Sequence, residues 1–233
     1  MLKKPAKKAP TAAVRDLVVS EGGAVVLTLT SGALVTLDAD SGEEEALLRT
    51  HSGVVNHCAV HPRSEEKVAT VGDDRYLLYW DIERREVTKS AVLPFGGCAV
   101  AISPPIEMIG GHTHIAVGLS GGAMAVYDEE TFEQIKFAIH CKEDIDELKY
   151  APNAKYLAVG SHDNYVDLLD VANDYAMLCR LAGHSSYIKH IDWSADSRVI
   201  QSVCGGYEVL YWNVATGRQF RSTHDSVESD TIW

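Results

Sequence analysis

Two short groups of residues have the types and spacing that chemistry uses. "GLSGG", Gly118 to Gly122, matches the Gly-x-Ser-x-Gly pattern that presents a serine nucleophile, here Ser120. Such a serine works from a sharp strand-to-helix turn, with a histidine and an acid converging on it. His112 and His114 form a His-x-His pair of the kind that holds zinc, although no Cys or carboxylate stands beside it at ligand spacing. Which reading holds depends on the elements that carry these residues.

Those elements repeat. An apolar residue followed by Asp or Asn closes a β-like run at Leu37-Asp38, Trp80-Asp81, Tyr127-Asp128, Leu169-Asp170 and Trp212-Asn213, with steps of 43, 47, 42 and 43 residues. The long step contains "SPPIEMIGGHTH", Ser103 to His114, a loop longer than its counterparts "HPRSEEK", "APNAKY" and "SADSR". Each unit divides into four short runs rich in Val, Ile, Leu and Tyr, separated by Gly, Asp, Asn and Pro. No helical stripe persists, so helices should be scarce. Four strands every 42 to 47 residues predict an all-β fold, a β-propeller whose blades must stack to bury their faces. With the strands lettered a to d, "GLSGG" falls in the slot of "GDDRY" and "GSHDN". That slot is a b–c hairpin, where Gly supplies positive φ, and not a nucleophile elbow.

One unit resembles a WD repeat closely. His51 lies 29 residues before Trp80, Thr70 ten before it and Asp74 six before it. In the WD-repeat family those offsets place a loop His, a strand-b hydroxyl, a turn Asp and a strand-c Trp in one chain of hydrogen bonds. Elsewhere only pieces persist. His184 and Ser202 stand 28 and ten residues before Trp212, but Gly206 occupies the Asp position. His140 and Asp163 stand 29 and six before Leu169, without a Trp or hydroxyl. The chain thus resembles an atypical WD-repeat protein, and His51 and His184 read as blade residues rather than acid–base catalysts. The expected blades are about 11–49, 50–93, 94–140, 141–183 and 184–225, with a further blade starting at 229–233. Five blades and a stub fit a segment of a larger, seven- or eight-blade propeller better than a closed ring.

The totals limit the partners. The formal charge is −12, and Lys3, Lys4, Lys7 and Lys8 give the first ten residues a local positive charge. Residues 1–10 read as a basic disordered tail, or as an arm that attracts an acidic polymer. So acidic a body repels phosphate backbones and anionic membranes, so neither nucleic acid nor membrane is expected as a partner. Cys58, Cys98, Cys141, Cys179 and Cys204 are widely spaced, without a C-x-x-C pair, as in a reduced cytosolic protein.

A narrower resemblance rests on "GSHDNYVDLLDV", "GHSSYIKHIDWSADS", "GGYEVLYWNVATG" and the closing "SDTIW", in that order. The succession resembles the second propeller of the echinoderm microtubule-associated protein-like family, over roughly His51 to Trp233. Family members bind tubulin through tandem propellers, so the resemblance implies a non-catalytic cytoskeletal scaffold, at cilium or spindle. It implies no cofactor, metal or small-molecule substrate. The alternatives are a general WD scaffold for another protein complex, or a hydrolase using Ser120. Contact residues are expected on the turns: Asp73, Arg75 and Tyr76; His162, Asn164 and Tyr165; Tyr187 and Lys189; and Tyr207 and Glu208.

Overall fold

The computed structural model describes residues 14–19, 25–29, 34–37, 44–48, 50–220 and 232–233. The basic stretch 1–10 and most of 221–233 lie outside the described residues. Contacts divide the chain into two units, Met1–Val54 and Val55–Trp233. The first contains one antiparallel sheet of β1 (Val14–Val19), β2 (Val25–Leu29), β3 (Leu34–Leu37) and β4 (Glu44–Leu48), paired in chain order.

The second unit contains four sheets built the same way. One has β5 (Val55–His61), β6 (Ser64–Gly72), β7 (Tyr76–Asp81) and β8 (Glu86–Val92). The next has β9 (Gly97–Ile102), β10 (His114–Leu119), β11 (Ala123–Asp128) and β12 (Gln134–Ile139). Then come β13 (Ile145–Tyr150), β14 (Tyr156–Ser161), β15 (Tyr165–Asp170) and β16 (Ala176–Ala182). The last has β17 (Ile188–Trp193), β18 (Val199–Cys204), β19 (Val209–Asn213) and β20 (Arg218–Gln219). The first strands β5, β9, β13 and β17 neighbour one another in succession. The fold is a β-propeller segment. The only helical turn among the described residues is a 3-10 turn at Glu107–Ile109, and no helix is long and apolar enough to cross a membrane.

Three apolar cores lie between successive blades of this unit, which explains the strand sequences. On β10, Ile115 and Val117 pack toward Val71 and Leu77, whereas Ala116 joins Ile145 and Leu148 on the other side. On β14, Leu157 and Val159 share that second core while Ala158 joins Ile188 and Trp212. A strand buried on both faces loses its polar alternation, so "HIAVGL" and "YLAVGS" read as continuous apolar runs. The outer β12 and β16 are largely exposed.

The repeat mark has a structural cause. The Asp or Asn that closes strand c turns its side chain back over the c–d turn. Oδ1 of Asp81 accepts the Arg84 N–H, Oδ1 of Asp128 those of Glu130 and Thr131, Oδ1 of Asp170 that of Ala172, and Oδ1 of Asn213 that of Thr216. A short carboxylate or amide mimics a backbone turn in this way, more strongly than a hydroxyl does. Left-handed residues recur in register too. Arg75, Gly122, Asn164 and Tyr207, with φ of 62°, 77°, 72° and 62°, each stand five residues before the position of Trp80. Arg85, Phe132, Asp174 and Gly217 stand five after it, with φ of 57°, 59°, 51° and 64°. The extended loop 103–114 is tied down by the buried Ile106, which bridges to His112.

Candidate functional site

Two blades carry the hydroxyl–indole pair that the WD pattern demands. Trp80 donates from Nε1 to Thr70 Oγ1 at 2.8 Å, and Trp212 from Nε1 to Ser202 Oγ at 2.7 Å. Both pairs tie strand b to strand c across one sheet. Asp74 sits in the b–c turn and accepts the Tyr76 N–H at 3.1 Å. His51 is half-buried and belongs to the first unit. In the last blade His184 Nε2 lies 2.7 Å from Ser202 Oγ, which continues the chain from Trp212 into the loop before β17. Burial holds the His184 imidazole below its ordinary pKa, with Glu208 pulling the other way.

Gly206 leaves no carboxylate at the expected place, and Glu208 supplies one instead. Its Oε2 accepts the Ser185 N–H at 2.8 Å and lies 3.6 Å from His184 Nδ1. Counting offsets missed this, because the carboxylate stands two residues beyond the expected position. Glu208 thereby belongs to the structural set as much as to the surface. Ser202 is fully buried, so Ser202→Ala strands both the Trp212 N–H and the His184 ring nitrogen. Each unpaired buried group costs roughly 1–3 kcal/mol. Urea unfolding is expected to register that loss, whereas Ser202→Thr, which copies Thr70, retains most of the stability.

The remaining turn residues gather on the b–c side. His162 Nε2 lies 2.7 Å from Asp146 Oδ2, and its ring packs 4.5 Å from Tyr187, whose own ring faces Lys189 Nζ at 5.9 Å. The Tyr165 ring underlies the Arg180 guanidinium at 4.8 Å, with Asn164 beside it in the turn. Tyr76 is exposed, as is Arg75, and Tyr207 is 93% exposed. Asp73 accepts from Asn56 Nδ2 at 2.8 Å. Asp73, Asp144 and Asp146 surround Cys98, whose thiol is pushed up to about 12, first by burial and then by those carboxylates. Burial also raises Asp146, against the pull of His162. This side therefore has an acidic interior and an aromatic, partly basic rim.

A second polar layer escaped the sequence reading. Glu147 is buried, with His57 Nε2 at 3.7 Å and His190 Nδ1 at 3.4 Å. These residues line a cavity of about 380 Å³ with Val100 and Lys149. His57, Glu147 and His190 share one register on the first strands, since they pair with Val71, Gly160 and Val203 at equivalent strand-b positions. That equivalence was the available signal.

Neither opening motif assembles a reactive centre. "GLSGG" joins β10 to β11, and Ser120 donates its N–H to the Gly96 carbonyl at 3.0 Å. Gly122 has φ 77°, and a Cβ there would overlap the Cys141 carbonyl. His112 and His114 separate: His114 Nδ1 bonds the buried Tyr175 hydroxyl at 2.7 Å, while the half-exposed His112 approaches Asp128 at 3.4 Å.

Blade order, the hydroxyl–tryptophan pairs and the turn geometry define a WD-type β-propeller module. Residues 55–233 match the family model of the echinoderm microtubule-associated protein second beta-propeller, and the chain belongs to that family. It is 34% identical over 218 residues to echinoderm microtubule-associated protein-like 3 of Homo sapiens, covering 92% of this chain and 23% of that protein. The 77 kDa echinoderm microtubule-associated protein of Lytechinus variegatus is 32% identical over 212 residues, covering 90% of this chain and 31% of its own length. The chain thus spans less than a third of these relatives.

Proposed function

We propose that this propeller segment is a non-catalytic docking platform that helps hold its protein on microtubules, in the cytoskeleton. The observation that carries this reading is the family match over 55–233, which spans the whole four-blade unit. The contact surface is the rim on the b–c side, where Arg75, Tyr76, Tyr165 and Tyr207 at the b–c turns, with Tyr187 and Lys189 at the entry to the last blade, present aromatic and basic groups. Aromatic and Arg anchors carry much of the energy at protein interfaces. The acidic interior of that side, with Asp73, Asp144 and Asp146, repels an acidic polymer, so contact falls to the rim. The basic stretch at Lys3, Lys4, Lys7 and Lys8 adds attraction that salt screens.

Co-sedimentation of the full-length protein with polymerised tubulin tests this reading. Tyr207→Ala is expected to weaken binding by about tenfold, and Tyr187→Ala comparably, as losses of interface anchors. Full-length protein that stays in the supernatant at low salt overturns the proposal. A pull-down dominated by other proteins points instead to a general WD scaffold.

A further inference from the structure

The b–c turn of the last blade brings three different donor atoms together: Cys204 Sγ donates to Glu208 Oε2, and His184 Nδ1 beside them is left without a hydrogen-bond partner. A ring nitrogen of His184, Cys204 Sγ and a Glu208 carboxylate oxygen all lie within 4.8 Å of one another, the only such trio of potential metal ligands among the described residues. The His184 side chain is wholly shielded from solvent, and its Nδ1 has no hydrogen-bond partner. Cys204 is buried as well, with 1% of its surface exposed. Glu208 Oε2 stands 3.6 Å from His184 Nδ1 and 3.3 Å from Cys204 Sγ. Donors at bond lengths of about 2.0–2.3 Å around a tetrahedral ion lie roughly 3.3–3.8 Å apart. The two short separations already match that spacing.

We propose that His184, Cys204 and Glu208 form a binding site for a divalent transition-metal ion of the zinc class, with a water molecule as fourth ligand. The donor set is the nitrogen, sulfur and oxygen mixture that such an ion accepts, whereas hard cations take oxygen alone. The second shell is in place. When His184 Nε2 carries the ring proton it donates to Ser202 Oγ, which also accepts from Trp212, and Nδ1 then presents its lone pair to the site. A ligating histidine is ordinarily oriented in this way through its other nitrogen. On binding, the Cys204 thiol gives up its proton to solvent as Sγ takes the metal. A Cβ at Gly206 would stand 3.2 Å from Ser185 Oγ and 3.5 Å from Cys204 Sγ, so the glycine leaves room beside the thiol.

The test uses the chain with Cys58→Ser, which removes an exposed thiol that would bind metal adventitiously. Titration with Zn²⁺ is expected to fill one site per chain and raise the thermal midpoint. Co²⁺ in its place is expected to show an intense thiolate-to-metal charge-transfer band. Cys204→Ser should abolish that band. Glu208→Gln, a change at the rim of the turn, should weaken Zn²⁺ binding more than about tenfold, beyond the lower bound for losing even an outer-shell partner. Absence of the band in the parent, or its persistence in Cys204→Ser, overturns the site. If Cys204→Ser does not fold, Glu208→Gln decides, and unchanged Zn²⁺ affinity in that variant also overturns it.

Discussion

Gly118→Val is expected to destabilise the four-blade unit by about 3 kcal/mol or more, the upper range for overpacking a filled core. A Cβ at Gly118 would stand 2.5 Å from Ile145 Cγ2 and 2.7 Å from the Ile145 carbonyl oxygen. The methyl could turn aside, but the carbonyl belongs to the first strand of the next blade and cannot yield alone. The same junction recurs twice with its parts rearranged. At Gly160 the intruding atoms are Ile188 Cγ2 at 2.7 Å and Ile191 Cδ1 at 3.0 Å, both on side chains. Gly160→Val should therefore cost less than Gly118→Val. Between β6 and β9 the partners are exchanged. Val71 occupies the strand-b position, and Gly97 faces it, its would-be Cβ 2.6 Å from Val71 Cβ. Every junction holds one large residue and one glycine. Gly118→Val combined with Ile145→Gly imitates the Val71–Gly97 arrangement and should recover part of the loss, giving a coupling energy above about 1 kcal/mol in a double-mutant cycle. Equilibrium unfolding in urea measures both quantities. A loss below about 1 kcal/mol for Gly118→Val would show that the blades are not packed as closely as these distances require.

This exchange also marks what could be read from the sequence. The period, the four strands and the turn-closing Asp or Asn were legible because each is a local rule: one side chain caps one turn, and a fixed number of residues crosses one blade. Thr70 with Trp80, and Ser202 with Trp212, were legible for the same reason, as strand-b and strand-c partners at a constant offset. Interactions between blades follow no such offset. Gly118 and Ile145, or His57, Glu147 and His190, meet only once the register of the first strands is known. Glu208 failed a spacing rule for a third reason: two positions further on, beyond a left-handed Tyr207, it delivers the carboxylate that Gly206 lacks. The fold thus lay in the repeat, while the polar chemistry lay in departures from it.

Asp167 is the strongest of those departures, and its partner carries the second large effect. The equivalent positions on the neighbouring blades are Leu78, Ala125 and Leu210, yet here a carboxylate is sealed from solvent in an apolar strand. Arg180, opposite it on β16, donates from Nε to Oδ1 and from Nη2 to Oδ2, both at 2.7 Å. A bulge between Leu168 and Leu169 shifts this pairing, which hides it from counting. Removing Arg180 leaves a buried carboxylate without its counter-charge, so Arg180→Leu is expected to cost about 3–5 kcal/mol. Asp167→Leu should cost much less. The Arg180 side chain is 34% exposed and rests on Tyr165, so without Asp167 its guanidinium can turn to water. Arg180→Lys should fall between, since an ammonium cannot form the two-pronged contact. Changing both residues to leucine replaces the ion pair with apolar side chains, leucine being the residue at the equivalent Leu78 and Leu210, and such replacements of buried pairs are often neutral or stabilising. Thermal and urea unfolding of the four variants measure the ordering. If Asp167→Leu proves as damaging as Arg180→Leu, the pair contributes net attraction that exceeds the cost of burying it, and the asymmetry in exposure does not govern its energetics.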